Sequence, residues 1–115
     1  MSLDVYLYAE PPDSDVIEQE TLLFHKDITH NLGKMATAAG LYMALWRPEE
    51  IGVRMAYQLI PFLRVGLSVL KEDKPRFEEY NSLNGWGNYD NLVSFTEEYM
   101  AACIQRPNAY VRAGR

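Results

Sequence analysis

The amino-acid sequence predicts an α+β fold, with three to four helices packed on a small antiparallel sheet formed by the N- and C-terminal strands. Near the start Leu3, Val5 and Leu7 alternate with polar residues, and the last residues alternate in the same way. A period of two is typical of strands that are buried on one face only. Between these ends, apolar residues recur at helical spacing from Ala56 to Leu70. The 115 residues suit one domain, spanning residues 1–115.

The predicted elements follow from local start and stop signals. Pro11 and Pro12 end the first strand, since proline cannot donate to a ladder. Asp27 and Thr29 are both N-cap types and predict a helix behind them. In order, the predictions are a strand at 3–8, a short strand near 21–24, a helix over 30–39 stopped by Gly40, a buried segment at 41–46, a new start at 47–50, a helix over 53–71 kinked at Pro61, a helical turn at 74–80, a loop at 81–88, a helix over 89–105 stopped by Pro107, and a strand at 109–113.

Charge and composition exclude several classes of function. The net charge is −5, and the basic residues are scattered singly instead of forming a stripe, so no duplex nucleic acid is expected as a partner. The longest apolar stretch is too short and too interrupted to span a bilayer, so no membrane is expected either. The first residues lack the basic and apolar regions of a signal peptide, which predicts a cytoplasmic location.

The sequence gives little support to metal or nucleophile chemistry. His25 and His30 are five residues apart, which is not the spacing that puts two metal ligands on one helix face. Cys103 is the single cysteine and falls on an apolar helix face, where packing is the simpler interpretation. We therefore expect no metal and no cofactor, and catalysis is the weaker prediction.

Three polar-aromatic clusters are the candidate binding residues. The first contains His30, Asn31 and Lys34, because His30 and Lys34 lie one helical turn apart and can address one ligand. The alternative interpretation is a capped first turn with exposed polar residues.

The second cluster contains Trp46 and Arg47. Arg47 can stack on an aromatic ring or form two hydrogen bonds with a phosphate or carboxylate. The alternative places Trp46 in the core and pairs Arg47 with Glu50, three residues further on.

The third cluster contains Asn84, Trp86 and Tyr89. Glycines flank Trp86, so the backbone there can turn sharply and approach a partner closely. Trp86 and Tyr89 can offer stacking faces with polar tips, whereas the alternative is a loop whose tryptophan covers the core.

Three stretches of the chain, LDVYLYAE (3–10), DITHNLGKMATAAGLYMALWRPEEIG (27–52) and NGWGNYDNLVSFTEEYMAAC (84–103), together resemble a family of small phage and prophage proteins. The resemblance covers about half of the chain and brings no established catalytic residues with it. It implies a phage gene product acting in a bacterial host cytoplasm, and by analogy a protein that counters host defence.

Three functional hypotheses follow. The first is a non-enzymatic protein that binds a small nucleotide-like ligand, with stacking by Trp46, Trp86 or Tyr89 and a phosphate near His30, Lys34 and Arg47. The second is a protein–protein inhibitor or adaptor acting on a host protein through an aromatic surface of Tyr6, Tyr8 and Tyr110. The third is a hydrolase using His30 with Asp27. A homo-oligomer formed through an exposed strand edge is a further prediction.

Overall fold

A computed structural model describes residues 2–11 and 21–115 of the chain. Within these ranges it contains three strands, five α-helices and two turns of 3₁₀ helix. The elements are β1 (Ser2–Tyr8), β2 (Leu22–Thr29), a 3₁₀ turn (His30–Leu32), α1 (Gly33–Ala38), α2 (Tyr42–Trp46), a second 3₁₀ turn (Pro48–Ile51), α3 (Ala56–Glu72), α4 (Lys74–Glu78), α5 (Tyr89–Gln105) and β3 (Tyr110–Gly114). The predicted α+β class is confirmed.

The three strands form one antiparallel sheet in the order β2-β1-β3. The predicted pairing of the two terminal strands is confirmed, with Val5 opposite Ala113. On its other side β1 pairs with β2, where Leu3 lies opposite Ile28. Because side chains alternate across a strand, Leu3, Val5 and Leu7 all point to one face, and each is fully buried there.

The helices supply the other half of the core. The helical stripe of α3, which includes Leu59, Leu63 and Leu70, is buried, and α3 packs along α5. On α5 the residues Leu92, Phe95, Tyr99 and Cys103 face the same core, as their spacing predicts. Phe24 of β2 stacks on Tyr99 with ring centroids 5.8 Å apart, which fixes α5 beneath β2.

Two predicted elements differ from those observed. The strand expected near 21–24 extends to Thr29, so Asp27 lies within β2 and only Thr29 acts as a cap, accepting a hydrogen bond from the Asn31 backbone N–H. The pairing with β1 outweighs the capping preference of Asp27. The part of this prediction that concerns residues 16–20 lies outside the described residues.

The long helix α3 begins at Ala56, three residues after its predicted start, and runs through Pro61 without interruption. Proline removes the hydrogen bond to the Tyr57 carbonyl, but Tyr57 and Pro61 are both exposed, so water can satisfy that group. None of the helices in the described ranges is long and apolar enough to cross a membrane.

Candidate functional site

A cleft of about 810 Å³ lies between the second half of β2, the 81–88 loop and the start of α5, beside the predicted clusters. We call it the Trp86 cleft. Its lining includes Lys26, Asp27, Thr29, His30, Asn31, Trp86, Asn91, Ser94 and Phe95. The cleft thus brings together His30 and Asn31 from the first predicted cluster and Trp86 from the third.

The loop that carries Trp86 is held from both sides. The Asn31 side-chain amide donates to the Trp86 carbonyl at 3.0 Å, and the Trp86 N–H donates to the Asn84 side-chain oxygen at 3.0 Å. Gly87 has a φ of 105°, and a Cβ there would lie 2.8 Å from the Thr29 methyl group. Only glycine therefore allows the loop to dock this closely on the end of β2. The Trp86 side chain stays 69% exposed while its backbone is fixed.

The start of α5 forms the opposite wall of the cleft. Asn88 and Asn91 cap it reciprocally: the Asn91 N–H donates to the Asn88 side chain at 2.9 Å, and the Asn88 N–H donates to the Asn91 side chain at 3.0 Å. The Tyr89 N–H donates to the Asn81 side chain at 2.8 Å. These bonds set the helix so that Asn91 and Ser94 face the cleft.

His30 is oriented by the core residue Trp46. The Trp46 indole N–H donates to His30 Nδ1 at 2.9 Å, and Trp46 itself stacks on Tyr42 with centroids 5.3 Å apart. Since Nδ1 accepts this bond, neutral His30 carries its proton on Nε2. His30 therefore presents a hydrogen-bond donor to anything bound beside it.

The charges around the Trp86 cleft are mixed. Lys26 projects to the helix side of the sheet and pairs with Glu98 of α5. Asp27 is exposed and also lines the cleft. A cleft whose lysine is already neutralised suits a polar ring better than a highly charged anion.

A second, shallower depression of about 550 Å³ adjoins the first at His30. We call it the Lys34 hollow. Its lining includes His30, Lys34, Thr37, Tyr42 and Tyr80. The hollow joins His30 and Lys34 on one surface, as their spacing predicts.

Four of the predicted site residues, Trp46 among them, lie outside both depressions and are engaged elsewhere. Arg47 bonds Glu50 at 2.8 Å, and this hydrogen bond is the largest cause that holds the Arg47 pKa above its usual value. Tyr89 is 6% exposed and donates its hydroxyl to the Leu70 carbonyl at 2.8 Å. Asn84 supports the loop backbone.

Trp46 is also unavailable as a stacking face, because it is 3% exposed. Neither Trp46 nor Tyr89 thus offers an exposed ring for stacking, and the Arg47 guanidinium is paired with Glu50. Trp46 acts through His30, and Tyr89 belongs to the core.

The lining residues that were not among the predicted ligand-binding residues include Lys26, Asp27, Asn91 and Ser94. Asn91 follows Asn88 by three residues, the spacing of a capping box, so the sequence did hold a signal for its position. Lys26 lies in a strand that the sequence predicts only in part, and it had no comparable signal.

The tyrosines of the predicted contact surface lie on the sheet face opposite the helices. Tyr6 and Tyr8 stack at 5.7 Å, and Tyr6 also stacks on His25 at 4.8 Å. Arg54 lies over the Tyr110 ring at 5.9 Å. On this face Tyr6 therefore contacts both Tyr8 and His25, and Tyr110 contacts Arg54.

Within residues 2–11 and 21–115, no group of three or more histidine, cysteine or carboxylate side chains is placed to hold a metal. No protein-family model, curated protein or solved structure matches the chain. The function must be argued from the two depressions.

Proposed function

We propose that this is a non-enzymatic phage-type protein that binds a small nucleotide-like ligand, whose flat ring lies on Trp86 in the Trp86 cleft. The observation that carries the proposal is the convergence of His30, Asn31 and the exposed Trp86 on one cleft. An indole held by its backbone and exposed at its ring is a preformed stacking surface. Ligand binding then has to order the Trp86 side chain but not the loop backbone beneath it.

The polar groups around Trp86 suit the edge of a nucleobase. The Asn91 amide and the Ser94 hydroxyl offer donors, and His30 adds an N–H. Stacking of a base on an aromatic side chain is worth about 1–3 kcal/mol, and the polar edge contacts add selectivity. The resemblance to phage proteins supports a role in sequestering a nucleotide signal of host defence.

The orientation of His30 argues for binding over hydrolysis. A general base needs an unprotonated nitrogen that faces the substrate. Here Trp46 occupies Nδ1, so Nε2 bears the proton and donates. His30 is thus suited to recognising a ligand, and the hydrolase hypothesis has little support.

The alternative function, inhibition of a host protein through Tyr6, Tyr8 and Tyr110, has less support. Tyr6 already contacts rings on two sides, and the Nε2–H of His25 beside it donates to the Asp4 carboxylate at 2.9 Å. A peptide added as a strand along β2 is also disfavoured, because Lys26 projects to the helix side of this edge strand, a feature that discourages strand addition.

Calorimetric titration with a panel of nucleosides and nucleotides tests the proposal. We expect at least one base to bind, and Trp86→Leu to weaken it about tenfold or more. Leu83→Ala is the matched control, since Leu83 is fully exposed on the same loop and lines neither depression. The proposal fails if no member of the panel binds at millimolar concentration, or if Trp86→Leu binds as tightly as the unmodified protein.

A further inference from the structure

The Trp86 cleft and the Lys34 hollow share one wall, the His30 side chain. Trp86 and Asn31 lie on one side of His30, and Lys34 and Tyr42 lie on the other. A ligand whose ring rests on Trp86 therefore needs to pass only one side chain to reach the hollow.

The hollow offers the groups that bind an anion. Lys34 is exposed, and no ion pair found among residues 2–11 and 21–115 involves it. Since Nδ1 of His30 accepts from Trp46, the N–H of the neutral ring is on Nε2, and His30 lines both depressions. Tyr80, 40% exposed, adds a hydroxyl. An ammonium with two neutral donors is a suitable set for one phosphate group.

Lys26, the other lysine that lines the two depressions in the described part of the chain, is already neutralised by Glu98. Arg47, which lies outside both depressions, pairs with Glu50. The net charge of −5 disfavours binding of more highly charged anions. One unpaired lysine among the described residues that line the depressions points to one phosphate instead of two or three.

We propose that the ligand is a nucleoside monophosphate, with its base on Trp86, its ribose beside His30 and its phosphate in the Lys34 hollow. This inference rests on the proposed function, since it assumes that the base lies in the Trp86 cleft. It adds the class of ligand and gives Lys34 the role of binding the phosphate.

The experiment compares the best-binding nucleoside with its 5′-monophosphate and 5′-triphosphate by calorimetric titration. We expect the monophosphate to bind about tenfold tighter than the nucleoside, the size of effect that a charge-assisted hydrogen bond produces. Lys34→Gln should remove this gain and leave the nucleoside affinity unchanged. The triphosphate should bind no tighter than the monophosphate.

Arg64→Gln is the matched control, because it makes the same change in net charge at an exposed residue of α3 that lines neither depression. It should leave the gain from the phosphate intact. Raising the salt concentration should shrink the gain in the unmodified protein, since screening weakens the contact with an exposed lysine.

The outcomes separate the two proposals. If the nucleoside binds and the monophosphate binds no tighter, the phosphate site is wrong and the Trp86 cleft stands. If Lys34→Gln weakens the nucleoside as much as the monophosphate, the hollow does not hold the phosphate, and the inference is again overturned. If neither ligand binds, both proposals fail.

Discussion

Trp46 shows how a buried residue can determine the chemistry of an exposed one. Its indole N–H bonds His30 Nδ1, so the tautomer of a half-buried histidine is set from the core. A sequence pattern indicates that LYMALW is buried, but it does not tell which polar group the tryptophan N–H will reach.

Trp46→Phe should remove this control over His30. We expect the free energy of unfolding to fall by about 1 kcal/mol, the usual cost of a lost hydrogen bond. The imidazole should then occupy both neutral tautomers. Nitrogen chemical shifts of the His30 ring, recorded for the neutral imidazole, give the tautomer directly.

Trp86→Phe is the control, since Trp86 contacts the 27–31 region through its backbone carbonyl. It should leave the His30 tautomer unchanged. An unaltered Nε2–H tautomer in Trp46→Phe would show that another group orients the ring.

At this scale the sequence predicted part of the site. His30, Asn31 and Trp86 meet in one cleft, and Lys34 lies in the adjoining hollow. Arg47 was ambiguous, because the same guanidinium suits a phosphate or Glu50, and the carboxylate three residues away is always present. A hydrogen bond between such neighbours in the sequence forms whether or not a ligand is present.

Among the elements, the loop before α5 is the one on which the Trp86 cleft depends. Two of its glycines have positive φ angles, 77° at Gly85 and 105° at Gly87. They differ in their surroundings: a Cβ at Gly85 meets nothing within 4 Å, whereas one at Gly87 meets Thr29 and Leu32.

Gly87→Ala should therefore cost more than Gly85→Ala. Both variants carry strain from the left-handed backbone, of the order of 1 kcal/mol. Gly87→Ala must also displace the loop from β2, so we expect a larger loss in the free energy of unfolding and weaker ligand binding. Urea unfolding and calorimetric titration of the two variants measure these effects. Equal losses in both would mean that the loop does not need its close contact with Thr29.

The bounds of an element were predicted best where no second structural preference competed with its local start and stop residues. The bounds of α5 match the prediction, because an asparagine cap and Pro107 mark its two ends. The end of β2 was missed, because Asp27 favours a cap locally while the ladder with β1 favours a strand. Pairing between distant segments decides such cases, and it is not visible in a local pattern.

In the whole molecule, the core holds ionisable groups that prefer to stay neutral. Burial raises the pKa of the Cys103 thiol to about 12, from an ordinary value of 9.0. Burial also raises the pKa of Tyr99 well above its ordinary value of 10.0. The protonated form of each group is therefore compatible with the folded core, whereas its charged form is destabilised there by burial.

Alkaline pH should therefore destabilise the protein. The contribution of the protonated Cys103 thiol to the free energy of unfolding is fully present below pH 9.0. It is lost as the pH rises toward about 12, because in this range the thiol loses its proton in the unfolded chain and keeps it in the folded protein. Urea unfolding at a series of pH values should give a smaller decline for Cys103→Ala than for the unmodified protein. Rapid reaction of a thiol reagent with the folded protein at about pH 8 would contradict this account.

The central position of β1 has a consequence for the order of folding. Its pairing with β2 closes a short stretch of chain, whereas its pairing with β3 joins residues about a hundred positions apart. The longer closure costs about 2 kcal/mol more in chain entropy. We expect the β1–β2 hairpin, which carries Lys26, Asp27 and Thr29, to form early, and β3 to join once the helices have brought the distant segments together.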